Sequence, residues 1–94
     1  MRRMEFHFEN NQLQLLYGEK IAGYIQLADL PKDEGKVILK TFVDQDFRGE
    51  GLAGDLMDQL LQLAEKNNWK LKSQCSYATH YFENHPEYEN YLIY

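Results

Sequence analysis

At 94 residues, 44% of them hydrophobic, the chain has the length for one domain over residues 1–94 with one core, and little left for an elaborate substrate pocket. A net charge of −5 argues against nucleic acid as a partner, because phosphate binding runs on clustered Lys and Arg. Cys75 is the lone cysteine, which excludes an internal disulfide framework and a cysteine-rich zinc site. No apolar run reaches the roughly 18 residues of a membrane span, so the expectation is a cytoplasmic protein with no membrane and no metal.

In chain order, Met1-Arg2-Arg3-Met4 carries no apolar signal region and leads straight into a strand. Glu5-Phe6-His7-Phe8-Glu9 alternates polar and apolar residues, the period of a half-buried strand. Asn10-Asn11 supplies a tight turn, since Asn tolerates positive φ. A second alternating run places Leu13, Leu15 and Tyr17 on one face, and Gly18-Glu19 puts glycine first, as a type II′ hairpin turn requires. A third strand over about residues 20–27 has Ile21, Ile25 and Leu27 sharing a face. After a polar connection from Leu30 to Gly35, a fourth strand over residues 36–43 places Val37, Leu39, Thr41 and Val43 on one side and Ile38 and Phe42 on the other. A strand apolar on both faces belongs inside a sheet.

Near residue 50 the period changes. Leu52, Leu56, Leu60 and Leu63 recur at helical spacing, with Ala53, Met57, Leu61 and Ala64 on the same broad face. The helix starts at residues 49–51 and ends at Lys66-Asn67-Asn68, where Asn takes the left-handed cap. Residues 69–75 make a fifth strand, and residues 77–84 a short helix stopped ahead of Pro86. The order β-β-β-β-α-β-α predicts an α+β fold. It comprises an antiparallel four-stranded meander, a helix, a parallel fifth strand reached by a right-handed crossover, and a short C-terminal helix.

The stretch Val43-Asp44-Gln45-Asp46-Phe47-Arg48-Gly49-Glu50-Gly51-Leu52-Ala53-Gly54 joins a strand to a helix through three glycines and an arginine. Such a turn leaves backbone N–H groups exposed at the positive end of a helix dipole, which favours a phosphate or pyrophosphate; the same glycines also suit a tight turn and close helix packing. A P-loop is excluded, because Asp55 and Leu56 stand where Lys and Ser/Thr must be. A dinucleotide fingerprint at Gly49, Gly51 and Gly54 fits poorly. Four strands precede it, and no acid stands among residues 70–75.

Arg48-x-x-Gly51-x-Ala53 resembles the Arg/Gln-x-x-Gly-x-Gly/Ala motif of the GNAT superfamily of N-acetyltransferases. Thr41 and Val43 end the preceding strand as in that family. Cys75-Ser76-Tyr77, Tyr81-Phe82 and His85-Pro86-Glu87-Tyr88 resemble a compact GNAT-like subfamily of about 100 residues, and the resemblance spans about residues 13–91. It implies a GNAT-like mixed sheet with acetyl-CoA as co-substrate. The backbone of Gly49, Glu50, Gly51, Leu52, Ala53 and Gly54, with Arg48, would hold the pyrophosphate. Thr41, Phe42 and Val43 would receive the pantetheine arm as an added strand, and a backbone N–H near Val43 would polarise the acetyl carbonyl.

An acid must then protonate the departing thiolate. By the same resemblance, Tyr77 and Tyr81, four residues apart on one helix face, are candidates, though either also suits packing. Cys75 stands where a thiolate would meet the thioester and relay the acetyl group, but a free cysteine also serves as a small core hydrophobe. His80 and His85 have the pKa range of a base, His85 in a turn ahead of Pro86. Typical GNAT domains carry two helices between their first two strands, where here only Asn10-Asn11 stands, so the acceptor side is expected to be open. Asp55 and Glu50 stand near the expected pyrophosphate site.

The leading expectation is an acetyl-CoA-dependent N-acetyltransferase acting on an amine, which the net negative charge suggests is cationic. The alternatives are a CoA- or acyl-CoA-binding module without significant transfer, and a ligand-free interaction domain using the tyrosine-rich stretch 77–94. The sequence leaves the acceptor and the oligomeric state open.

Overall fold

In the computed structural model, which describes residues 4–93, Asn10 and Asn11 take φ of 53° and 61°. These are the two consecutive left-handed residues of a type I′ turn, and they fold Met4–Glu9 (β1) back on Gln12–Tyr17 (β2). Readings of residues 1–3 and Tyr94 lie outside the described residues. At the next turn Gly18 has φ +61° while Glu19 is not at positive φ, which matches the expected type II′ turn into Lys20–Asp29 (β3). Gly35–Val43 (β4) pairs antiparallel with β3, and Leu52–Asn67 (α1) crosses over to Lys70–Ser73 (β5), which pairs parallel with β4. The sheet order is β1-β2-β3-β4-β5, followed by Ser76–Glu83 (α2) and a 3-10 segment, Pro86–Tyr91. The mixed α+β sheet is the one the element order predicts.

The amphipathic period of α1 explains how it lies on the sheet. Leu52, Leu56, Met57, Leu60, Leu61 and Ala64 are buried against Leu13, Leu15, Ile25, Leu27 and Ile38. Each buried Leu or Ile contributes roughly 1.5–3 kcal/mol of transfer free energy. Asn68 ends the helix at φ 57°, its N–H reaching the carbonyls of Ala64 and Glu65, as the Asn67-Asn68 signal predicts. At the start of β5, a Cβ on Gly35 would lie 1.8 Å from the Lys70 carbonyl oxygen, so only glycine lets β4 and β5 approach there.

Three packing expectations are corrected. β1 is not half-buried: it is an edge strand, with Phe6 41% and Phe8 36% exposed. Ile21 does not share the face of Ile25 and Leu27. The register shifts by one residue between Leu15 and Leu16, Ala22 and Gly23 both turn inward, and Ile21 points out at 38% exposed. A second shift, opposite Gln26 and Leu27, does the same in β4. Leu39 stays on the outward face with Val37, at 41% exposed, but the partners of the flanking pairs place Thr41 and Val43 on the face of Ile38 and Phe42 on that of Val37.

Ala78, Tyr81 and Phe82 of α2 join the same core cluster as α1, and Tyr81 reaches α1 through Asp58. Both helices therefore cover one face of the sheet. Among the described residues, no helix packs on the other face, and no helix is long and apolar enough to cross a membrane.

Candidate functional site

β4 is nine residues long, but its pairing with β5 ends at Ile38 and Ser73, and Gln74 N–H closes it on the Ile38 carbonyl at 2.8 Å. Beyond that bond β4 runs on to Val43 while the chain after β5 turns into α2, so the two diverge. Asp44 N–H donates to the Ala22 carbonyl of β3 at 2.8 Å. Strand alternation therefore turns the N–H and carbonyl groups of Val43 and Thr41 toward the gap. Arg48 confirms that direction: its Nε donates to the Val43 carbonyl at 3.1 Å.

The turn after β4 is built by Asp44. Its side chain accepts from Asp46 N–H at 2.9 Å and its carbonyl from Phe47 N–H at 2.9 Å, making the short helix Gln45–Phe47 and burying Phe47. Gly49 and Gly51 then take φ of +84° and +77°, with Gly51 as the N-cap of α1. Glycine offers no side-chain cap, and the helical ladder begins with Asp55 N–H on the Gly51 carbonyl at 3.1 Å. The N–H groups of Leu52, Ala53 and Gly54 therefore stand at the helix mouth with no i−4 partner, where the dipole favours an anion. A Cβ on Gly49, Gly51 or Gly54 would meet nothing within 4 Å, so close helix packing does not account for these glycines.

Between the end of β4 and this helix mouth lies a cleft of about 400 Å³. It brings together Thr41, Phe42 and Val43 on one wall with Arg48, Gly49, Gly51, Leu52, Ala53 and Gly54 on the other, and adds Tyr77. Glu50 is not part of its lining. Asp55 lines a separate groove, between β1 and α1, together with Met4 and Phe6.

Cys75 lies at the divergence. Its Sγ is 3.5 Å from Thr41 Oγ1, and it precedes α2 as the N-cap residue. Burial pushes the thiol up, but hydrogen bonds from the backbone of Ala78, the Thr41 side chain and the backbones of Tyr77 and Thr41 outweigh that and hold it below the ordinary thiol value. Tyr77 is shifted up by burial and by the nearby charges of Asp58 and Cys75, so it keeps its proton. Tyr81 does not line the cleft. It is buried beneath α2, its hydroxyl donates to Asp58 Oδ1 at 2.6 Å, and its ring stacks on His85 at 4.1 Å. Burial and that carboxylate drive its pKa strongly upward. His85 is held by its Nδ1 against the Tyr81 carbonyl at 2.8 Å, and His80 hydrogen-bonds with Asn84 at 3.0 Å on the exposed side of α2.

Sequence reasoning missed Phe47 and Asp58. Phe47 carried a signal, as the one apolar residue between Asp44 and Arg48. Asp58 carried none, because its partner lies 23 residues away. Among the described residues, no group of His, Cys, Asp and Glu is placed to hold a metal ion.

Residues 13–91 match the family described as GCN5-related N-acetyl-transferase. No curated protein matches the chain. Among solved structures, a GCN5-like protein from Staphylococcus aureus, determined in solution by NMR, superposes with a TM-score of 0.75 at 22% identity, covering 95% of this chain and 87% of that one. A ribosomal-protein-alanine N-acetyltransferase from Brucella melitensis biovar Abortus 2308 gives 0.58 at 28% identity, over 68% of this chain and 48% of its own. An acetyltransferase of the GNAT family from Staphylococcus aureus Mu50 gives 0.59 at 20% identity, over 79% and 50%. The chain thus spans about half the length of the latter two.

Proposed function

The chain belongs to the GCN5-related N-acetyltransferase family, and from that premise we propose that residues 1–94 act as one domain that binds acetyl-CoA in the cleft at the end of β4 and transfers the acetyl group to an amine. The observation that carries this reading is the divergence of β4 from β5 directly beside an uncapped helix mouth. A single ligand with a pyrophosphate and a long amide arm satisfies both. The N–H groups of Leu52, Ala53 and Gly54, with the Arg48 guanidinium, take the pyrophosphate. The pantetheine amides add to the outward edge of Thr41 and Val43, the arm passing Phe42. The acetyl carbonyl then lies near the Val43 N–H, which stabilises the oxyanion formed when the amine attacks.

Two features of this chain then differ in role. Tyr77 lines the cleft with its proton retained and supplies it to the departing CoA thiolate, whereas the Tyr81 hydroxyl is already committed to Asp58 and positions α2. Cys75, its thiol held below the ordinary value, takes the acetyl group from the thioester as CoA thiolate leaves and is protonated by Tyr77; the neutral amine then attacks the acetyl-cysteine, the Cys75 thiolate leaves and the Tyr77 phenolate takes the amine proton. The motif, with the Cys75-Ser76-Tyr77 and His85-Pro86-Glu87-Tyr88 segments, supports reading the chain as a member of the compact subfamily. The solved relative named for ribosomal-protein alanine makes a backbone amino group one acceptor class to test, and the negative net charge of −5 suits any cationic amine.

A second reading has its own observation. Asn10 and Asn11 alone join β1 to β2, so among the described residues no helix from this connection covers the far face of the sheet, and a CoA-binding module without transfer activity would need none there. Titrating acetyl-CoA in a thermal melt tests both. Ligand at 100 times Kd adds about 2.7 kcal/mol, a rise on the order of 10 °C for a domain this small. No shift at millimolar acetyl-CoA, or a normal shift in Arg48→Glu, overturns the site. Amine-dependent release of free thiol separates transferase from module.

A further inference from the structure

Among the described residues the far face of the sheet carries no helix, and its composition is ordered across the strands. Register places Glu9, Gln12, Gln26 and Lys40 in one row and His7, Gln14, Tyr24 and Phe42 in the next. Glu5, Leu16 and Ile21 form a third row, and Ala28, Val37 and Lys72 a fourth. The centre is apolar or neutral. Tyr24 and Phe42 pack ring to ring at 5.2 Å, and Gln12, Gln14 and Gln26 hydrogen-bond to one another. Ile21 stands 38% exposed and Leu39 41%. Among the described strand residues of these rows the charges stand at the edges, Glu5 and Glu9 on β1 and Lys40 and Lys72 on β4 and β5, with Glu83 and Glu89 sharing a cavity with Lys72 beyond β5.

We infer that this face is an interface between two copies of the chain, related by a two-fold axis that lies along β3. An axis in that direction leaves each row at its own height and exchanges the two edges, so the acidic β1 edge of one copy lies over the basic β4–β5 edge of the other. Glu9 then meets Lys40 and Lys72 of the second copy, twice by symmetry, and Tyr24 and Ile21 pack about the axis. An axis across the strands would set acid on acid and is excluded by charge. Five strands about 4.8 Å apart, each presenting roughly 20 Å, make a face of about 500 Å² per copy. A total of about 1,000 Å² is the size of a reversible dimer. The helix mouth and Arg48 lie on the helix-bearing side of the sheet, and Phe42 is shared between the cleft lining and this face; the inference uses only the face and does not rest on the proposed activity.

Charge reversal tests it. Sedimentation velocity from micromolar to near-millimolar concentration should show a monomer–dimer equilibrium for the wild type. Lys40→Glu/Lys72→Glu has two acidic edges and Glu5→Lys/Glu9→Lys has two basic ones. Each alone should stay monomeric, with the wild-type circular dichroism spectrum, and an equimolar mixture should dimerise. Raising sodium chloride should weaken the wild-type dimer, an independent readout needing no variant. A wild type that stays monomeric throughout, variants that dimerise separately, or a mixture that stays monomeric overturns the inference and leaves the face to another occupant.

Discussion

Cys75 sits between opposing influences. Burial favours the neutral thiol, while the N–H groups at the mouth of α2, and Thr41 from across the gap, favour the thiolate and win. The iodoacetamide reaction followed against pH should therefore show a midpoint below about 8.5, the value of an ordinary cysteine. Thr41→Val, which removes one of the stabilising partners, should raise that midpoint. A wild-type midpoint at or above the ordinary value would show that burial dominates and would remove the acetyl relay. The linkage to stability has a fixed sign. A group whose folded pKa lies below its unfolded one stabilises fully above the unfolded value, and loses that stabilisation as pH falls through the folded one. The stability of wild type relative to Cys75→Ala should thus fall as pH is lowered from the range of an ordinary thiol, as chemical denaturation at each pH would measure.

At the scale of elements, the helix mouth invites a substitution that separates stability from binding. Gly54 is helical, its φ is not positive and a Cβ there meets nothing within 4 Å, so the fold itself does not ask for glycine. Gly54→Ala should stabilise α1 by up to about 1 kcal/mol, raising Tm by several degrees, and should weaken acetyl-CoA binding by crowding the pyrophosphate. Unchanged affinity beside the higher Tm would place the ligand elsewhere.

The same scale shows what the chain announces locally. The two hairpin turns, the apolar stripe of α1, its Asn68 cap and the crossover to β5 were legible, because turn chemistry and periodicity act within a few residues. The faces of Ile21, Thr41 and Val43 were not. Each β-bulge inserts one residue and inverts the alternation beyond it, with no local signal in this sequence. The cleft lining was legible as far as the backbone runs continuously from Thr41 to Gly54. The hydrogen bonds of Cys75 to Thr41 and of Tyr81 to Asp58 join positions 34 and 23 residues apart, and only the packing of α2 on α1 and β4 brings them together.

For the whole molecule, charge and site pull in opposite directions. A net −5 acting from about 20 Å repels each negative charge of a bound ligand by about 1 kcal/mol in water before screening. The attraction from Arg48 and the helix mouth acts over a few ångströms instead. Salt screens the two unequally: the screening length falls from about 30 Å at 0.01 M to about 8 Å at 0.15 M, shorter than the distance to most of the acidic surface but longer than the contact distances. Acetyl-CoA should therefore bind several-fold tighter at physiological ionic strength than at low salt, the reverse of the usual behaviour of phosphate sites on basic proteins. Calorimetric Kd values at the two salt concentrations check this. Arg48→Gln should weaken binding at both while keeping the upward trend, since it removes a local attraction and leaves the distant repulsion in place. Affinity that falls as salt rises would mean that near contacts outweigh the charge of the molecule, and that the acidic surface does not oppose the ligand.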